Sequence, residues 1–126
     1  MSGNRLLLDT NILIYLSKGE LILADFAASN DALYISVITL MEVQGYKFKS
    51  SKEEKIISSL CSMMNHVYID EAIVEEVIRI RKKGRIKLPD AIIMASAIVK
   101  GHILVTRNDD DFKRSDGKLH VLNPMV

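Results

Sequence analysis

The sequence predicts an α/β fold built on a mostly parallel central sheet. Three observations lead there. Short apolar runs such as Leu6-Leu7-Leu8 and Ile103-Leu104-Val105 have the length and uniformity of strands buried on both faces. Longer segments between them carry apolar residues at helical spacing, as at Ile56, Ile57, Leu60, Met63 and Met64. The two kinds of segment alternate along the chain, the pattern of strands joined by crossover helices, with helix outweighing strand.

Each element has a local reason. The opening strand ends abruptly at Asp9, and a second apolar run starts two residues later as a helix over 12–17, ended by Lys18-Gly19. A second helix is expected over 20–28, stopped by Ser29-Asn30. Leu33-Tyr34-Ile35 reads as a short strand. Ser36 is a good N-cap for a helix over 37–48. Ser50-Ser51 opens a helix over 52–64, and Val67-Tyr68-Ile69 is a strand. Asp70 caps a helix over 71–83 with Ile73, Val74, Val77, Ile78 and Ile80 apolar, ended by Gly84. Pro89 suits the first turn of the next helix, 90–100, which Gly101 ends. Ile103-Leu104-Val105 is a strand, 108–113 is one helical turn, and 119–122 is a last strand stopped by Asn123-Pro124.

A length of 126 residues fits one domain, 1–126, able to bury about two-thirds of its unfolded surface. The formal net charge of +1 announces no general nucleic-acid binder, so any basic surface must be local. Cys61 is the only cysteine, which excludes a disulfide framework and a cysteine-based zinc site and fits a reducing cytosol. No signal peptide is expected, since only Leu6-Leu7-Leu8 precedes a charge. No apolar stretch reaches membrane-spanning length. The expected location is cytoplasmic.

The chemistry is sought among acids in apolar company. Asp9 ends a buried strand. Glu42 lies in the otherwise apolar Val37-Ile38-Thr39-Leu40-Met41-Glu42-Val43. Asp90 opens a helix whose body, Ala91-Ile92-Ile93-Met94-Ala95, is apolar all round. Asn108, Asp109, Asp110 and Asp111 follow a strand. Each has a plain structural alternative: helix caps for Asp9 and Asp90, a solvated side chain for Glu42, a solvated turn for the aspartate run. Their conjunction favours a site, because a parallel sheet gathers strand ends and helix starts on one edge. Carboxylates brought within a few ångströms repel unless a cation is present. An all-oxygen donor set selects Mg²⁺ or Mn²⁺ over zinc. Such an ion polarises a phosphate oxygen and lowers the pKa of bound water, so no nucleophilic side chain is needed. Thr10 is the most interesting hydroxyl, better suited to orienting a neighbour or capping than to attack.

At this point the chain resembles PIN-domain ribonucleases, and among them VapC-type toxins of toxin–antitoxin pairs. The likeness rests on Leu8-Asp9-Thr10-Asn11-Ile12-Leu13-Ile14-Tyr15, on Ser36-Val37-Ile38-Thr39-Leu40-Met41-Glu42-Val43 and on Leu88-Pro89-Asp90-Ala91-Ile92-Ile93-Met94-Ala95-Ser96-Ala97. It continues through Leu104-Val105-Thr106-Arg107-Asn108-Asp109-Asp110-Asp111-Phe112 and Val121-Leu122-Asn123-Pro124. The resemblance implies a three-layer α/β/α fold with about five short strands. It implies that Asp9, Glu42 and Asp90 bind metal and orient water, with Asn108 or Asp111 ahead of Asp109 completing the set. Thr10, Asn11 and Thr106 would support the carboxylates. The implied activity is Mg²⁺-dependent hydrolysis of RNA, leaving a 5′-phosphate and a 3′-hydroxyl. The implied partners are a homodimeric copy, a larger toxin–antitoxin assembly, and a small antitoxin lying across the acidic cleft, with DNA reached only through the antitoxin.

Arg79, Arg81, Lys82, Lys83, Arg85 and Lys87 put six cations into nine residues just before Asp90. A solvated helix end explains part of this. A phosphate-binding rim over Arg81, Lys82, Lys83, Arg85 and Lys87 explains it with its position. Lys47, Lys49, Lys52 and Lys55 either extend the rim or serve solubility. Tyr15 and Tyr46 are candidate nucleotide contacts, with packing as the alternative. The scarcity of aromatics points to recognition of a folded RNA by shape. His66, His102 and His120 read as structural, and Cys61, Met63 and Met64 as a helix core face. Two other functions compete with a toxin nuclease: a non-catalytic acidic-cleft binding module or repressor partner, and an RNA-processing nuclease without an antitoxin.

Overall fold

The computed structural model describes residues 3–113 and 118–125. The chain forms β1 (Arg5–Leu8), α1 (Thr10–Ser17), a 3₁₀ turn (Leu23–Asp25), β2 (Ala32–Ser36), α2 (Val37–Gln44) and α3 (Ser51–Met63). It continues through β3 (Asn65–Val67), α4 (Glu71–Lys83), α5 (Leu88–Lys100), β4 (Ile103–Val105), α6 (Asp109–Lys113) and β5 (Val121–Leu122). The strands make one sheet in the order β3-β2-β1-β4-β5. Every pairing is parallel.

That order matters for function. From β1 the chain steps outward to β2 and β3, then crosses over and builds β4 and β5 on the other side. The direction reverses between β1 and β4, which leaves a crevice at their carboxyl ends. Those ends are Leu8 and Val105, paired in register, with the Asp9 amide donating to the Val105 carbonyl at 2.9 Å. Asp9 and Thr106 therefore emerge side by side.

The alternation of strand side chains builds two cores. Leu7 and Leu104 face α4 and α5, packing with Ile73, Val77, Ile80 and the fully buried Met94. Leu6, Leu8 and Val105 face the other way, toward α1 and α3, with Ile12, Leu13, Ile57 and Cys61. Helices thus cover both faces, and the fold is a three-layer α/β/α sandwich. Helix α2 lies at the seam: Ile38 packs against the first core, Val43 and Leu40 against the second.

Most boundaries follow from side-chain caps. Ser36, Ser50 and Asp70 accept from the amides of Ile38, Lys52 and Ile73. Gly101 ends α5 at φ +70, the left-handed conformation that favours glycine. Lys100 donates to Asp70 at 2.7 Å and ties the end of α5 to the start of α4.

Some expectations are corrected. The helix expected over 20–28 is only the 3₁₀ turn Leu23–Asp25, because no side chain caps it and residue 32 must already pair with β1. Helix α2 stops at Gln44, since Gly45 takes the C-cap; residues 45–48 are not helical. Strand β3 is Asn65–Val67, where it can pair with Tyr34, Ile35 and Ser36; Tyr68 and Ile69 are exposed. Helix α5 begins at Leu88, so Asp90 is its third residue and not its cap. Met63 is exposed, whereas Cys61 and Met64 are buried.

His102 gives a testable consequence. Its ring lies on Tyr34 with centroids 4.2 Å apart, and its buried Nδ1 has no hydrogen-bond partner among the described residues. Burial, then the charges of Arg5 and Lys100, hold its pKa below the ordinary 6.5. A depressed folded pKa gives stability that is present above the unfolded value and lost as pH falls through the folded one. His102→Phe keeps the ring and removes the titration. Melting curves between pH 7.5 and 5 should show a smaller loss of Tm for the variant than for the wild type.

Candidate metal centre

Asp9 is placed by three constraints. It follows β1, caps α1 and is only 5% exposed. Its Oδ1 accepts from the Thr10 amide at 2.7 Å, and its Oδ2 accepts from Thr106 Oγ1 at 2.8 Å. Thr106 is fully buried after β4, and its oxygen accepts in turn from the Asn108 amide at 3.1 Å. The carboxylate is thus gripped from both sides of the β1–β4 switch, and its orientation leaves little freedom.

Glu42 comes from α2. Its Oε1 is 2.7 Å from Thr10 Oγ1, which is also 3.1 Å from Thr39 Oγ1. A hydroxyl has one proton and a carboxylate only accepts, so Thr10 donates to Glu42 and receives the Thr39 proton. Glu42 is exposed as a solvated acid would be, yet it is fastened to the residue next to Asp9. Asp90 is half-buried in the first turn of α5, where the helix dipole favours a carboxylate.

The electrostatics link the three acids. Burial raises the Asp9 carboxyl above its ordinary 3.8; the hydrogen bonds from Thr106 and Thr10 pull it back, and the charges of Asp90 and Glu42 raise it further. Asp9, Glu42 and Asp90 therefore share one field, although they stand far apart in the sequence. As placed, no three His, Cys, Asp or Glu side chains among the described residues are gathered closely enough to hold a metal ion. Uncompensated negative charges favour such spacing, and the oxygen donor set suits a hard divalent cation.

The other sequence candidates divide. Asn108 is exposed and contributes its amide to Thr106; Asp109 Oδ1 accepts from Asn123 Nδ2 at 3.1 Å. Asp111 falls in α6, and its side chain lies outside the described residues. Asn11 is exposed at the second position of α1. Arg81, Lys82 and Lys83 form the last turn of α4, Arg85 lies in the connection, and Lys87 is the N-cap position of α5. Arg81 and Lys82 border an apolar groove of about 470 Å³ lined by Ile69, Val74, Ile78 and Leu88, while Arg79 is paired with Glu76.

Three supporting residues carry no role in the sequence reading. Thr39 is fully buried and touches Thr10; its signal is a threonine one turn before Glu42. Asn123 leaves β5 as Asp9 leaves β1, and its Nδ2 donates to the Arg107 carbonyl at 3.1 Å as well as to Asp109. Arg107, next to Thr106, has its guanidinium 5.4 Å from the centroid of the Tyr15 ring and hydrogen-bonds the Tyr15 hydroxyl.

Comparison with known proteins places the fold. Residues 6–118 match the PIN domain family model. A toxin–antitoxin complex from Klebsiella pneumoniae is 35% identical, with 94% of this chain and 96% of that chain covered and a TM-score of 0.70. VapBC-1 from nontypeable Haemophilus influenzae is 27% identical over 97% of this chain and 99% of the other, with a TM-score of 0.77. VapBC2 from Rickettsia felis, solved with a DNA fragment from its promoter, is 24% identical over 94% and 98%, with a TM-score of 0.80. No curated protein sequence matches significantly. The chain belongs to the PIN-domain family, and the likeness is to the VapC-type toxins within it.

Proposed function

We propose that the chain is a Mg²⁺- or Mn²⁺-dependent endoribonuclease, the toxin of a toxin–antitoxin pair. One observation carries this reading: Asp9, nearly buried and hydrogen-bonded at both oxygens, also feels the charges of Asp90 and Glu42. An anion raised in energy by its surroundings gains most from a cation. Asp9, Asp90 and Glu42 would hold the ion, with Asn108 or Asp111 completing the set. The ion supplies Lewis acidity and a lowered pKa for water at the site.

This chain's own residues then have defined tasks. Thr106 and the Thr10 amide fix the Asp9 carboxylate, and the Thr10 hydroxyl aims Glu42. Water attacks the phosphorus of an RNA phosphodiester, the P–O3′ bond breaks, and a proton goes to the departing O3′. The products are a 5′-phosphate and a 3′-hydroxyl. Arg81, Lys82, Lys83, Arg85 and Lys87 would attract the RNA backbone toward Asp90.

We assign two protein partners. An antitoxin would cover the acidic cleft and mediate contact with DNA; that an antitoxin is a partner is supported by the toxin–antitoxin complexes named above. A second copy of the chain would cover the exposed apolar residues beside the groove, Val74, Ile78 and Leu88. An RNA substrate implies a cytoplasmic location, and no helix of the described residues is long and apolar enough to cross a membrane.

Three outcomes test the reading. Asp9→Asn should abolish cleavage of total cellular RNA, read by sequencing 5′ ends, and should raise Tm at pH 7. The sign follows from the raised folded pKa: the stability attached to protonated Asp9 is full below 3.8 and lost as pH rises through the folded value. A neutral amide recovers that loss at pH 7, and the difference should vanish near pH 3. Full cleavage by this variant would reject the site.

Mn²⁺ should raise the Tm of the wild type and leave that of Asp9→Asn unchanged, since linkage stabilises only a protein that binds. Thr106→Val, which frees the Asp9 carboxylate without removing it, should weaken Mn²⁺ binding by about 10–100-fold in a calorimetric titration.

A further inference from the structure

We infer that Arg107, braced by Tyr15, grips an RNA phosphate at the mouth of the acidic site. The inference rests on the nuclease reading and adds to it a phosphate-binding residue that neither the sequence nor the family likeness assigned. An acidic site poses a problem for an anionic substrate. Before a cation binds, Asp9, Glu42 and Asp90 repel the phosphodiester, and afterwards the flanking phosphates still meet exposed Glu42. A cation on the rim solves this, provided its charge is not already engaged.

Arg79 pairs with Glu76 and Lys100 with Asp70, so their charges are engaged; Arg81 and Lys82 stand on the last turn of α4, beside the apolar groove. Arg107 differs in position and partner. It directly follows Thr106, whose hydroxyl holds Asp9, so it lies at the carboxyl edge of the sheet beside the switch point. Thr106 is buried there and Arg107 is exposed.

The brace has two ends, one in α1 and one after β5. Tyr15 belongs to α1, the helix that Asp9 caps, and is four residues beyond Asn11 on the same helix face. The Arg107 backbone is held from β5 by the Asn123 amide at 3.1 Å. Between these anchors the guanidinium lies over the Tyr15 ring and hydrogen-bonds its hydroxyl. A neutral phenol and a ring face leave the positive charge without an anionic partner among the described residues. Guanidinium carries five N–H donors, and the hydroxyl takes one. A planar fork already ordered loses less freedom when it meets phosphate, and it can bind two oxygens at once.

Fluorescence anisotropy with a labelled single-stranded RNA of mixed sequence, from 50 to 200 mM KCl, tests this in the Asp9→Asn protein, which does not consume the probe. Adding Arg107→Ala should weaken binding by about tenfold. It should also shrink the slope of log Kd against log salt by about 0.7, the signature of one lost phosphate contact on a single strand. Arg107→Lys should restore the slope but only part of the affinity. Tyr15→Phe, which keeps the ring and deletes the acceptor, should weaken binding with the slope unchanged. An unaltered Kd and slope for Arg107→Ala, at the Tm of the Asp9→Asn parent, would overturn the inference. Failure of the Asp9→Asn parent to bind RNA at all would sink the nuclease reading and this inference with it.

Discussion

The structure turns on a carboxylate kept almost out of water. Asp9 is tolerated there because both of its oxygens are hydrogen-bonded, one by a backbone amide and one by a buried hydroxyl. Those two donors come from different sides of the topological switch, α1 after β1 and the segment after β4. The parallel register of β1 against β4 is therefore what makes the site possible: a slip by one residue would move Thr106 away and turn alternate side chains to the other face. Leu7, fully buried on one face, and Leu6 and Leu8 on the other hold that register from both cores.

The fold was legible where local chemistry and pattern agreed. Leu6-Leu7-Leu8 could only be a buried strand, and α4 carried its cap, its amphipathic spacing and its terminal glycine in plain view. The misreadings occurred where local pattern lacked a tertiary partner. The apolar residues over 20–28 have helical spacing, but Ile22 is 61% exposed and the segment serves to return the chain to the edge of β1. Val67-Tyr68-Ile69 has high strand propensity, yet pairing with Tyr34, Ile35 and Ser36 selects Asn65–Val67. Propensity describes a residue's surroundings only on average, and here the neighbouring strand decided.

The candidate site was legible in part, for a similar reason. Acids in apolar surroundings are conspicuous, so Asp9, Glu42 and Asp90 stand out without a structure. Residues that hold acids are not conspicuous. Thr39 and Asn123 are common polar residues at ordinary positions, and only geometry distinguishes them from a helix interior and a turn. Glu42 illustrates the limit most clearly. Its exposure fits a solvated side chain, and its hydrogen bond to Thr10 places it beside Asp9. Both descriptions hold at once, because a site that receives solvent and substrate has to open to water on one side.

The distribution of the acids over the layers has a physical consequence. Asp90 belongs to the α4–α5 layer, Asp9 to the sheet edge, and Glu42 to α2, which packs against both cores. The crevice lies where the layers meet, so mutual repulsion among the acids acts to part them. A cation between the acids would reverse that force and draw the layers together at their edge. The same reversal would leave the surrounding rim as the place where an anionic chain first makes contact. Thr10 and Thr106 are neutral and keep the geometry through either state: the Thr10 amide and the Thr106 hydroxyl hold Asp9, and the Thr10 hydroxyl holds Glu42.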